Sequence, residues 1–316
     1  MALDVKDKKI LQELDFNARQ TLSQLSKKVK LSRDIVNYRI NKLEKEGYIK
    51  GYQTIVNFSK LGYLTIRFHL KFIDISPKIE KNLIAFLLKK ENILLVSRTK
   101  GDFDLSFVIQ IKDLFELNNF EIEFNSLFNK YIKSRELGIY LEIYHFQRSY
   151  LLNEKNKINN QKIIKLEKDT NKIDQNDLKI LKILSKNART PLVKISNKLN
   201  MNASTVANKI KKLEKDKIIL GYKLLFGFDK INFSYFKIDF ILRDISLREN
   251  LINYCKNNPN IIYAGWVSGG VDLEIYLEIE NAQKLLELIE KMRNLFPGIR
   301  EWGYTSFETY DKFNYL

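Results

Sequence analysis

Ser32-Arg33-Asp34-Ile35-Val36-Asn37-Tyr38-Arg39-Ile40-Asn41-Lys42-Leu43-Glu44-Lys45-Glu46-Gly47 reads as one helix with two unlike faces. Ser32 is the N-cap, its hydroxyl accepting from an orphan backbone N–H of the first turn. Val36, Ile40 and Leu43 recur at i, i+4 and i+7 and form a single buried stripe. Gly47 supplies the left-handed stop. The opposite face carries Arg33, Asn37, Tyr38, Arg39, Asn41 and Lys42. Cations for phosphates and amides for base edges suit a DNA major groove. An ordinary solvated helix would carry similar charges, so the case rests on what surrounds this stretch.

Upstream, Asp4-Val5-Lys6-Asp7 opens a short helix with Leu3, Ile10, Leu11 and Leu14 inward, and Asn17-Ala18-Arg19 follows as a turn. Thr21 caps a second helix with Leu22, Leu25 and Val29 inward, and Lys30-Leu31 connects it tightly to Ser32. Three short helices with a brief turn before the last form a helix-turn-helix pattern. Arg19 is expected to pair with a neighbouring helix rather than with DNA.

Downstream, 49–58 and 63–73 read as strands, the second alternating Ile66, Phe68, Leu70 and Phe72 with Arg67, His69 and Lys71. A helix from Pro77 to about Lys90, strands over 93–99 and 103–111, a helix over 113–129 and a strand over 137–147 complete a β-α-β-β-α-β order. That is a ferredoxin-like unit, an antiparallel sheet with both helices on one face. Residues 148–172 are rich in Asn, Lys and Gln and read as a linker, helical if structured.

The chain then starts again. Residues 173–222 align with 3–52 without a gap at an offset of 170, with 21 identities in 50 positions, among them Asn187-Ala188-Arg189 and Lys212-Leu213-Glu214-Lys215. Strands and helices repeat over 236–242, 247–257, 261–268, 271–279, 282–295 and 299–310. The whole two-module unit has been duplicated. The expected fold is α+β, a tandem repeat of helix-turn-helix plus ferredoxin-like sandwich: 1–60, 61–147, the linker 148–172, 173–226 and 227–316.

Charge follows this division. The net charge of +16 breaks down to +6 over 3–60, +1 over 61–147, +4 over 148–172, +8 over 173–226 and −3 over 227–316. Positive charge concentrated in the two helical modules and the linker is what phosphate binding needs. The single cysteine, Cys255, excludes an intramolecular disulfide framework and reads as a small core residue. No apolar run approaches the length of a membrane span. A cytoplasmic protein with no membrane partner is expected.

With these residues in hand, the sequence resembles the Lrp/AsnC (feast/famine) transcription regulators. The resemblance rests on Leu3-Asp4-x-x-Asp7-x-x-Ile10-Leu11, Asn17-Ala18-Arg19, Leu31-Ser32, Val36-x-x-Arg39-Ile40-x-x-Leu43-Glu44-x-x-Gly47-x-Ile49-x-Gly51-Tyr52, and Gly101-Asp102-Phe103-Asp104. It implies DNA binding by Ser32, Arg33, Asn37, Tyr38, Arg39, Asn41 and Lys42 in the first head, and by Ser204, Thr205, Asn208, Lys209 and Lys212 in the second. It implies dimers through the regulatory sheets, here an internal pseudo-dimer, with assembly into homo-oligomers. It also implies a small effector, commonly an amino acid, near the Gly-Asp turns: Gly101, Asp102 and Asp104 in one unit, Gly269, Gly270 and Asp272 in the other. The bland alternative for these turns is an ordinary hairpin with Asp as a cap.

Two departures stand out. Family members ordinarily have one unit, not two. The second recognition helix replaces Arg33 with Ala203, Tyr38 with Asn208 and Arg39 with Lys209, and Gly47 with Lys217, which predicts a different helix end. The two heads are therefore expected to prefer different half-sites.

Two other functions compete. The paired architecture also resembles the sirohaem decarboxylases, whose chemistry wants histidines and arginines in the sandwich cavity. Only His69 and His145 are present, and both read as structural or exposed rather than catalytic. No metal spacing, nucleophile–base pair or cofactor motif appears elsewhere, so no cofactor and no enzymatic activity are expected. A scaffold with vestigial heads is the third reading, and the two basic fields argue against it. Tyr263 and Trp266, beside the second glycine turn, read as core, with a pocket as the other option.

Overall fold

The computed structural model describes residues 3–152, 162–168 and 170–313. In the first unit α1 (Val5–Phe16), α2 (Leu22–Val29) and α3 (Arg33–Lys45) form the helix-turn-helix. Asp4, Thr21 and Ser32 cap them through their side chains, and Thr21 and Gln24 close a reciprocal capping box. β1 (Ile49–Val56), β2 (Leu64–Phe72), α4 (Pro77–Lys89), β3 (Ile93–Gly101), β4 (Leu105–Ile111), α5 (Leu114–Phe128) and β5 (Ile132–His145) follow.

The segment expected to be a linker, helical if structured, contributes instead a strand, β6 (Lys162–Lys165), paired antiparallel with the end of β5. Lys162-Ile163-Ile164-Lys165 extends the sheet beside the end of β5. Residues 153–161 of that segment lie outside the described residues.

The second unit repeats the order: α6 (Gln175–Lys186), α7 (Leu192–Leu199), α8 (Ala203–Lys215), β7 (Ile219–Phe226), β8 (Ser234–Leu242), α9 (Arg248–Asn257), β9 (Ile261–Ser268), β10 (Leu273–Ile279), α10 (Ala282–Leu295) and β11 (Ile299–Phe313). α8 ends at the place that matches the end of α3. Lys217 takes the left-handed conformation (φ 56°) that Gly47 takes in the first unit (φ 81°), so the expected difference in helix end does not occur. A side chain in that conformation costs roughly 1 kcal/mol, while α8 keeps Val206, Ile210 and Leu213 buried.

The strands show how the units join. β1 and β7 pair antiparallel as a two-stranded ribbon, so each head's strand is completed by the other unit's. The remaining strands run β2-β4-β3-β11-β8-β10-β9-β5, and β5 pairs back onto β2. Eight strands, four from each unit, thus close on themselves with seams at β3–β11 and β9–β5. Closure removes the sheet edges that two separate units would expose.

Each sheet has two buried faces. Ile66, Phe68 and Leu70 face α4 and α5 in one core, and Phe236, Ile238 and Phe240 sit in the matching core under α9 and α10. Cys255 is fully buried in the second core. The other face of each sheet points into the barrel. Among the described residues no helix is long and apolar enough to cross a membrane.

Candidate nucleic-acid interface

α3 keeps Val36, Ile40 and Leu43 inward and turns its other face to solvent. Ser32, Arg33, Asn37 and Asn41 are exposed, and Tyr38 is 69% exposed. Lys42 is half-buried. On α8, Ser204, Thr205, Asn208 and Lys212 are exposed. Ser32 also has a structural duty, its hydroxyl accepting from the Ile35 N–H at 3.3 Å. Asn202, in the same place, makes no side-chain cap.

Arg39 and Lys209 are engaged elsewhere. The Arg39 guanidinium donates to Asp4 and Asp7 at 2.7 Å each, and Lys209 donates to Asp174 and, at 3.0 Å, to Asp177. Both cations tie the recognition helix to the first helix of their own head.

Arg19, expected against a neighbouring helix, reaches the turn of the other unit instead. It donates to the Ala188 and Thr190 carbonyls, while Arg189 donates to Ala18 and Gln20 at 2.7 and 3.1 Å. Ala18 N–H bonds the Tyr222 carbonyl and Ala188 N–H the Tyr52 carbonyl. Arg19 lies over the Tyr222 ring and Arg189 over Tyr52. The repeated Asn-Ala-Arg motif is therefore a reciprocal staple that fixes the two heads as a pseudo-symmetric pair.

The Gly-Asp turns sit at the barrel seams. Gly101 (φ 115°) presses on the Tyr304 carbonyl and Gly269 (φ 102°) on the Leu137 carbonyl, each in the opposite unit, approaches a Cβ would block. Asp104 accepts from the Phe72 N–H at 2.8 Å and from Lys71 at 2.9 Å, and Asp272 accepts from the Leu242 N–H at 2.7 Å. Each carboxylate thus ties its hairpin to the end of a neighbouring strand, β2 for Asp104 and β8 for Asp272. Asp102 is exposed beside Gly303, and Gly270 lies against Glu136.

The histidines are not exposed. Closure of the barrel buries the polar face of β2, leaving Arg67 at 1% and His69 at 2% exposure, and His145 is buried as well. On the pseudo-symmetry axis Arg67 pairs with Glu274, and at 2.8 Å with Glu136. Lys237 meets Asp239 at 2.8 Å and His69 Nε2 at 2.7 Å. Tyr140 and Tyr276 donate to Glu274 at 2.8 and 3.0 Å. Burial, then the neighbouring Lys237, pushes the His69 pKa down to about 3, so the ring is neutral. Burial pushes the Glu274 carboxyl up, but Arg67 and Lys237 outweigh it and hold the group well below the usual carboxylate range.

A second cluster joins barrel to head. Arg148 forks onto Glu278 with two bonds of 2.8 Å, and donates to Asp15 of α1 through its guanidinium and its backbone N–H. These interior groups carry no motif. Their signal is alternation, Arg67-x-His69, Lys237-x-Asp239 and Glu274-x-Tyr276-x-Glu278, whose burial depends on the other unit's sheet. Tyr263 lines the barrel cavity, whereas Trp266 is core.

A winged helix-turn-helix DNA-binding family model matches residues 3–50 and again 173–219. The uncharacterized HTH-type transcriptional regulator PF0054 of Pyrococcus furiosus is 39% identical over 120 residues, 38% of this chain and 77% of that protein. The HTH-type transcriptional regulator FL11 of the same organism is 34% identical over 118 residues, 37% and 77%. Among solved structures, the siroheme decarboxylase NirDL aligns over 98% of this chain and 92% of its own, with a TM-score of 0.65 at 12% identity, a likeness of fold. Helix-turn-helix matches in both units, regulator relatives covered over most of their length, and the paired sandwich agree: the chain belongs to the Lrp/AsnC family of DNA-binding HTH-type transcriptional regulators, with two family units in one polypeptide.

Proposed function

We propose that this chain binds double-stranded DNA with α3 and α8 each in a major groove, and that the two heads read unlike half-sites. The carrying observation is a fixed pair of heads with different exposed faces. The Arg19 and Arg189 staples and the β1–β7 ribbon set the spacing, while Arg33, Asn37 and Tyr38 of the first head correspond to Ala203, Ala207 and Asn208 of the second. Asn suits adenine and Arg suits guanine edges, so the first head has the larger reading vocabulary. Selection from random DNA by the full chain, followed against salt, is the test. An operator with unlike halves and affinity falling steeply with salt is expected. A palindrome would overturn the unlike half-sites, and unselective binding would overturn the regulator reading.

The chain is read as a regulator acting in the cytoplasm rather than as an enzyme. NirDL is also known in complex with an iron-uroporphyrin III analogue. Such a polycarboxylate macrocycle needs unpaired cations. The one Arg in the cavity wall is already held by Glu136 and Glu274, and His69 is neutral. An unchanged porphyrin absorbance band on mixing is the expected result. Oligomerisation of the whole chain is part of this reading, supported by Leu114, Phe115 and Ile122 exposed on α5, and sedimentation checks it.

A further inference from the structure

We propose that the cavity inside the barrel binds a small neutral aromatic molecule bearing an acceptor oxygen, and that Tyr263 passes its occupancy to both heads. The second clause rests on the regulator reading; the first does not.

The cavity measures about 130 Å³, near the roughly 150 Å³ at which an apolar protein cavity takes up benzene. Its walls come from both units and are mainly apolar, with Leu94, Val108 and Ile143 among them. Tyr235, Tyr263, Tyr276 and Phe307 form an aromatic wall with centroid separations of 5.2 to 6.5 Å. Offset and edge-on ring contacts at such spacings favour a further ring.

The polar end sets the rest of the chemistry. Arg67, Lys237, Asp239 and Glu274 are committed to one another, so an ionised ligand would enter without a counter-charge. Lys237 donates to His69 Nε2, which places the ring proton on Nδ1. Nδ1 then donates to Ser106 Oγ at 2.5 Å. The Ser106 hydroxyl hydrogen is left to donate into the cavity it lines. A neutral ligand with one acceptor oxygen matches that end.

Tyr263 is the route outward. Its hydroxyl accepts from Gln53 of β1 at 3.4 Å, and its ring lies 4.3 Å from the Lys223 ammonium of β7. β1 and β7 follow α3 and α8 directly and pair with each other. A ring shifted by a ligand therefore pushes on the ribbon that carries both recognition helices.

The test uses the full chain, with 4-fluorophenol as probe and 4-fluorobenzoate as charged control, by fluorine NMR. Saturable binding of the phenol, at least ten-fold weaker for the benzoate, is expected. Val108→Phe fills the cavity and Ser106→Ala removes the donor while enlarging the cavity by only a hydroxyl; each weakens the phenol several-fold. No saturable phenol binding, equal binding of the benzoate, or full binding by both variants overturns the site. With probe bound, affinity for the selected operator is expected to change about five-fold or more, and Gln53→Leu with Lys223→Met abolishes that change while keeping probe binding. Unchanged DNA affinity overturns the coupling. Failure to bind DNA at all overturns the regulator reading and leaves the binding result standing.

Discussion

The two units mirror each other at the staple between the heads and differ inside the barrel they build together. In the head staple the contacts are mirrored: Arg19 and Arg189 across the interface, Ala18 and Ala188 beside them, and within each head Tyr52 with Glu44 as Tyr222 with Glu214, both at 2.6 Å. Inside the barrel the mirror fails. Arg67 and His69 stand opposite Lys237 and Asp239, and Ser106 opposite Glu274. The Asp15–Arg148–Glu278 cluster has no counterpart, because Ser185 and Gln110 occupy the matching places. A reciprocal interface constrains both copies alike, whereas a charge near a symmetry axis must meet its opposite, which two identical copies cannot supply.

The largest effect is expected where that asymmetry is deepest. Arg148→Ala leaves Asp15 and Glu278 buried without their cation and should cost about 3–5 kcal/mol in urea unfolding. Gln110→Ala, at the place that matches Glu278, should cost far less. Equal losses would break the comparison.

Lys223 stands where the first unit has Gln53. Burial pushes its pKa down to about 7, and that of Lys162 down to about 8. Between pH 7 and the ordinary lysine value near 10.4, the unfolded chain holds more protons than the folded one. Stability therefore rises with pH across that window. Melting Lys223→Met beside the parent should show most of the rise gone; an unaltered rise would assign it elsewhere.

On the heads, Asn37→Ala should lower affinity for its own half-site by about 1–3 kcal/mol and spare the other. Asn208→Ala should do the converse. Fluorescence anisotropy on operators with one half scrambled separates the two, and loss at both halves would remove the claim of unlike reading. The smallest effect belongs to Arg39→Ala. It breaks a partly exposed pair with Asp4 and Asp7 and should cost under about 1 kcal/mol of stability, with DNA affinity little changed. A ten-fold loss of affinity would return Arg39 to the DNA surface.

Elements set by local chemistry were readable along the chain. The caps at Asp4, Thr21 and Ser32, the stripe Val36–Ile40–Leu43 and the alternation in β2 all depend on neighbours within a few residues. What local pattern misleads on is burial decided at a distance. Arg67 and His69 carry the mark of a solvated face, and only the second sheet, some 170 positions on, makes that face an interior. The carboxylates of Asp104 and Asp272 likewise look available until the ends of β2 and β8 arrive to use them. Lys162-Ile163-Ile164-Lys165 becomes a strand because β5 outruns β2 and needs a partner.

The closed ring of eight strands has a consequence for dilution. Two heads made by separate chains come apart as protein becomes scarce, and their occupancy of an operator then falls with the square of concentration. Here both heads are carried by one polypeptide whose sheets leave each other no open seam. Occupancy then falls only with the first power, and dilution does not separate the two recognition helices.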